Sequence, residues 1–187
     1  MPRQVFNYET PDRVVIGAVG EPGRRTFFLQ VREADRLTSV VLEKAQVAVL
    51  AERLDAMLDE VVRVSGGTAS VPAVAPSDLD DDRPLDEPLI EEFRVGALGL
   101  GWDPETEQVV IEAQALGGGE AEEVLVEDDD AEGPPLLRVR MSGAVARAFA
   151  KRALKVVAAG RPACEFCGEP IDPEGHICAR ANGHKRP

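Results

Sequence analysis

Aromatic side chains are scarce in this chain: six Phe, one Tyr and one Trp make up 4% of its 187 residues. A core with so few rings must be assembled from Val, Leu, Ala and Ile. Long apolar runs are missing as well. Nothing approaches the roughly eighteen residues of a bilayer-spanning helix. Residues 1–8 hold one basic side chain and no apolar stretch of the kind that marks a secretory leader. The expected location is the cytoplasm, with no membrane partner. Positive charge is in deficit, 21 Lys and Arg against 34 Asp and Glu, for a net charge of −13. A field of that sign repels phosphate at long range, which excludes a polyanion binder that uses its whole surface. Nucleophile elbow, P-loop and histidine-based catalytic pair are all absent. No catalytic residue is assigned, and the expectation is a protein that is not an enzyme.

What is present begins with length: enough for one core of about 150 residues and a small appendage. The charge is unevenly spread. Residues 138–187 hold ten Lys or Arg against four Asp or Glu, a net of +6 that leaves −19 for residues 1–137. An anionic partner would be met in the C-terminal third.

Along the chain, residues 5–8, 13–19, 26–32 and 37–43 read as strands, with Gly20-Glu21-Pro22-Gly23 as a turn between the second and third. Residues 44–64 then place Val47, Leu50, Ala51, Leu54, Met57, Leu58 and Val61 three and four apart, one continuous helical stripe that Gly66-Gly67 stops. Residues 67–90 combine Pro72, Pro76, Pro84 and Pro88 with Asp78, Asp80, Asp81 and Asp82, which predicts a mobile acidic linker. The second half echoes the first. Residues 95–99 match 16–20 at an offset of 79, and a helix with Ala146, Phe149, Ala150, Ala153, Val156 and Val157 matches the first helix at an offset of 99. The difference lies mainly in 117–135, an acidic loop with eight Asp or Glu.

The fold predicted is α+β: a duplicated βββα unit forming an antiparallel sheet with two helices on one face, plus a small C-terminal zinc-knuckle module. Its divisions are a core over 1–160, made of repeat one (1–66), the acidic linker 67–90 and repeat two (91–160), followed by a zinc-binding tail over 161–187. Two unrelated halves sharing a few Gly and Ala are the alternative.

All three cysteines and one histidine fall within residues 164–178. Cys164 and Cys167 have the knuckle spacing, with Gly168 permitting the tight turn. His176 and Cys178, two apart on an extended segment, point to the same side and complete a tetrahedron. Such a set predicts a structural Zn2+ on Cys164, Cys167, His176 and Cys178, with every position taken by protein. His184 in place of His176, metal-free reduced thiols, and a redox role for Cys164 and Cys167 are the alternatives.

A second constellation is the basic stripe Arg147, Lys151 and Lys155 at helical spacing, with Arg152 beside it. It is a candidate surface for an anionic partner, nucleic acid among them, or simply the solvated side of a helix, or a dock for the chain's own acidic loops. No aromatic platform interrupts it to stack bases. Gly17, Gly20 and Gly23 lead into another strand rather than a helix N-terminus, so they read as turn glycines and not as a nucleotide loop.

Three stretches, VVIGAVGEPGRRTFFLQ, the helix VLEKAQVAVLAERL and the closing CEFCGEPIDPEGHICARANG, together resemble an uncharacterised actinobacterial family, domain of unknown function 3090. The resemblance implies a cytosolic protein without assigned activity. It also implies a gene neighbourhood shared with a phosphatidylinositol-kinase-like protein, a possible partner, and a histidine-phosphatase-like protein. The family's closing motif falls on Cys164, Cys167, His176 and Cys178; Glu165 stands where the motif implies proline, and His184 where it implies an aromatic residue.

These readings converge on a non-enzymatic, cytoplasmic zinc-binding accessory or adaptor protein that recognises a protein partner. Nucleic-acid binding through the basic stripe is the first alternative. The second is an enzyme acting on a phosphorylated or acidic small molecule between the repeats.

Overall fold

In the computed structural model, which describes residues 3–117, 132–171, 175–178, 180 and 185–186, the expected strands form and two helices cover them. In chain order the elements are β1 (Val5–Tyr8), β2 (Arg13–Val19), β3 (Thr26–Glu33), β4 (Arg36–Leu42), α1 (Lys44–Val64), β5 (Glu91–Asp103), β6 (Gln108–Ala115), β7 (Leu136–Ser142), α2 (Gly143–Ala158), β8 (His176–Ile177) and β9 (Lys185–Arg186). Most of the 117–135 acidic loop, and His184, lie outside the described residues.

Strands β1 to β7 share one sheet in the order β1-β7-β6-β5-β4-β3-β2, and β8 pairs with β9 separately. Within β2-β3-β4 and within β5-β6-β7 the pairing is antiparallel. The whole sheet is nevertheless mixed, which corrects the expected antiparallel one: β4 runs parallel to β5, and β1 parallel to β7. Connectivity is the reason. Between β4 and β5 the chain inserts α1 and the 67–90 linker, a crossover long enough to carry it back to the end from which β4 started. β1 leaves its sequence neighbours and closes the far edge beside β7.

One face of the sheet carries Val14, Ile16, Leu29, Val31, Val40, Val109, Ile111 and Val139 against α1 and α2, which lie side by side. The α1 stripe is buried at Val47, Leu50, Ala51, Leu54 and Leu58. Each such leucine contributes about 2 to 3 kcal/mol through removal from water. The helix starts where Gln46 Oε1 accepts from the Glu43 N–H at 2.8 Å, and ends where Gly66 and Gly67 take positive φ of 62° and 82°. Ser142 caps α2 by accepting from the Val145 N–H at 3.3 Å. Gly20 (φ 108°) and Gly23 (φ 94°) make the β2–β3 turn, closed by a bond from the Arg24 N–H to the Glu21 carbonyl. Gly96, Gly99 and Gly101 lie inside β5.

The linker is a strap rather than the mobile loop its composition predicts. It passes α2, where Val71 fills the space that a side chain on Gly143 would need, then rounds the β2 edge of the sheet. On the opposite face Leu85 lies against Gly17, and the Asp86 backbone exchanges two hydrogen bonds with the Gln30 side chain, at 2.7 and 2.9 Å. Local composition describes this segment poorly because its partners are far away in sequence: Asp81 meets Arg13 and Arg152.

Candidate metal centre

The C-terminal module builds a turn from a few backbone bonds. The Cys164 N–H donates to the Glu169 carbonyl and the Gly168 N–H to the Cys164 carbonyl, both at 2.8 Å, while Ala163 bridges Pro170. Gly168 takes φ of 76°, the left-handed conformation that lets the chain reverse without a Cβ clash, and so Cys167 is brought back beside Cys164. β8 supplies His176, and Cys178 follows directly after it.

All four donor atoms lie within 4.8 Å of one another. Cys164 Sγ and Cys178 Sγ are 3.8 Å apart, and Cys167 Sγ and His176 Nε2 3.3 Å apart. A tetrahedron with zinc–sulfur bonds of about 2.3 Å has sulfur–sulfur edges of about 3.8 Å and sulfur–nitrogen edges of about 3.5 Å, so the spacing suits one ion at the centre. The three thiols are free of disulfides. Cys164 and Cys178 are buried, and Cys167 and His176 half-buried.

Local electrostatics prepare one thiolate. Backbone N–H groups of Cys167 and then Phe166 point at the Cys164 sulfur and bring its pKa down to about 6. Cys167 also accepts a backbone hydrogen bond, from Glu169, but burial and the neighbouring Cys164 and Cys178 thiols outweigh it and raise its pKa. An ion would reverse that balance, because it favours deprotonation of every ligand it touches. Three sulfurs and an imidazole form a donor set that can hold a metal ion and is compatible with zinc.

The basic stripe has a different fate. Arg147 is not on a solvated face: its side chain is 4% exposed, paired with Asp55 and Asp59 of α1, and donates to the Pro72 carbonyl at 3.1 Å. Lys151 meets Asp80 and Lys155 meets Asp82, each at 2.7 Å. Arg152 reaches Asp81 at 3.0 Å and the Ile16 carbonyl of β2 at 2.7 Å. Each of the four cations therefore faces a carboxylate of this chain.

The sequence reading missed Arg13, which is 5% exposed and binds Asp81 through two hydrogen bonds of 2.7 and 3.0 Å. The available signal was a charge opening an otherwise apolar strand. Together, Arg13 and then Arg83 hold the Asp81 carboxyl far below the usual carboxylate range. Burial lowers the pKa of Arg152 against the pull of Asp81.

A family profile described as "Protein of unknown function (DUF3090)" matches residues 6–178, a span that takes in the sheet, both helices and all four candidate metal ligands. No curated protein and no solved structure matches the chain.

Proposed function

This chain belongs to the DUF3090 family of proteins of unknown function, and we propose that it is a non-enzymatic zinc-binding accessory protein that presents a metal-ordered C-terminal module to a protein partner. The observation that carries the reading is the closed Cys164, Cys167, His176, Cys178 cluster: with four protein donors there is no position left for substrate or activated water, so the ion staples the module. Phe166 and Ile177, 43% and 73% exposed beside those ligands, are the apolar side chains this staple would offer to the partner. The repeated order strand, strand, strand, helix supports an origin of the core by duplication. A cytoplasmic location fits the reducing conditions that keep three thiols available to a metal. Among the described residues no helix is long and apolar enough to cross a membrane. Nucleic-acid binding through Arg147, Lys151, Arg152 and Lys155 is the weaker alternative, because each cation would first have to leave an aspartate.

The test is affinity capture with the full chain and with Phe166→Glu/Ile177→Glu, which leaves every ligand in place. A partner held by the full chain, and lost equally from the double variant and from zinc-stripped protein, is the expected result. A partner retained by both would contradict the reading.

A further inference from the structure

Strand β2 ends the seven-stranded sheet, and its sequence, RVVIGAV, is rich in the β-branched residues that pair readily with another strand. In an edge strand alternate residues turn their N–H and C=O groups away from the sheet. The Ile16 carbonyl faces outward, where it accepts from Arg152 Nε of α2 at 2.7 Å, so Val14 and Ala18 belong to the same outward set. The strap over residues 77–90 crosses the edge at this point. Arg152 Nη1 donates to the Asp81 carbonyl, and Nη2 donates to the Arg83 carbonyl at 2.8 Å, so that one side chain joins β2, α2 and the strap. We propose that the strap is a releasable cover for the β2 edge, and that its release lets β2 pair antiparallel with β2 of a second copy of this chain.

The strap covers this edge without acting as a further strand. Its carbonyls are taken by side chains: Arg13 Nη2 donates to the Arg83 carbonyl at 3.1 Å and to the Pro84 carbonyl at 2.9 Å. Pro76, Pro84 and Pro88 have no N–H to give a ladder, so the strap does not present a new edge in place of the one it hides. A cover held by side chains loses its hold when few of them change. Asp81 is the main tie, bonded to Arg13 at 2.7 and 3.0 Å and to Arg152 at 3.0 Å, while the pairs Lys151–Asp80 and Lys155–Asp82 are exposed and add little. The cover is also narrow. A cavity of about 340 Å3 opens beside Arg13, Val14 and Val15 on one side of the crossing, and one of about 450 Å3 beside Gly17, Ala18 and Val19 on the other. A second copy suits the freed edge because two identical strands running antiparallel use the same backbone groups on both sides and close a twofold dimer. Centred on Ile16, that pairing sets Arg13, the one charged residue of β2, opposite Val19 of the other copy rather than against its own counterpart. The proposal is independent of the metal reading.

The experiment is sedimentation velocity together with amide hydrogen exchange on the full-length protein as purified. The native chain should sediment as a monomer across the concentration range. Asp81→Ala, its helix and strand content checked by circular dichroism, should sediment as a dimer, and exchange at Val14, Ile16 and Ala18 should slow by about tenfold or more relative to the same variant diluted to monomer. Arg152→Met bares the Ile16 carbonyl but leaves Asp81 on Arg13, and should shift the chain in the same direction to a smaller degree. Val19→Lys added to Asp81→Ala sets a lysine against Arg13 of the other copy and should restore the monomer, whereas Val64→Lys, at an exposed site on the last turn of α1, should not. The proposal is overturned if Asp81→Ala and Arg152→Met both stay monomeric, if the native chain dimerises as readily as they do, if Val19→Lys and Val64→Lys act alike, or if association leaves exchange at the three amides unchanged.

Discussion

Among the described residues, two segments outside the seven-stranded sheet and the helices differ in the chemistry that holds them. The strap over residues 77–90 is tied by aspartates to arginines and lysines of β2 and α2, partners 68 to 73 residues away. The module over residues 164–178 gathers its own donors within fourteen residues of one another, close enough together to hold one metal ion. The strap's order depends on a finished core, because Arg13 and Arg152 must already be in place for Asp81 to meet. The module's order, on the proposed function, depends on a metal. Mutation of one aspartate should therefore loosen the first and spare the second, whereas a chelator should do the reverse.

The largest separation comes from the module. Cys167→Ser removes one of four ligands, and zinc affinity measured by chelator competition should fall at least about a hundredfold. Unfolding of the core, followed by circular dichroism, should be little changed; a core that melts with the metal would join the two segments into one cooperative block. Next in size is Asp81→Ala. It takes a carboxylate from the largely buried side chains of Arg13 and Arg152 as well as from the exposed Arg83, and should cost about 3 kcal/mol in urea unfolding while metal content stays constant.

The pH dependence follows from the same carboxylate. Because Asp81 has its pKa lowered by folding, chiefly through Arg13, its contribution is fully present above the ordinary carboxylate value near 4. That contribution declines as pH falls below 4 and is still incompletely lost at pH 2. Stability measured from pH 5 down to pH 2 should thus fall more steeply in the native protein than in Asp81→Asn; parallel curves would remove Asp81 as the strap's anchor. The smallest effect is expected at the surface. Lys151 and Asp80 are 53% and 42% exposed, and Lys151→Gln should cost less than about 1 kcal/mol.

The same contrast explains what the sequence made legible. The Cys164, Cys167, His176 and Cys178 cluster could be read because its spacing is short and its residue types are rare in this chain. Strands β2, β3 and β4 and helix α1 could be read because one period of apolar residues is enough to specify each. The mixed sheet could not, since strand direction across β4 and β5 depends on the path of the crossover rather than on either strand's own residues. Nor could the strap: Pro76, Pro84 and a run of three aspartates look unable to order themselves, and it is a pair of distant arginines that orders them. Arg147 misled for a related reason. Its helical spacing placed it with Lys151 and Lys155, but Asp55 and Asp59 on the neighbouring helix draw it into a buried site.

The central claim is that three sulfurs and one imidazole close around a single structural ion. Elemental analysis of protein purified without chelators, together with the absorption spectrum after exchange to cobalt, tests it most directly. The account predicts one zinc per chain and a cobalt spectrum of tetrahedral thiolate coordination that Cys167→Ser abolishes. A chain without stoichiometric metal, or a cobalt spectrum showing a water in the coordination sphere, would contradict it.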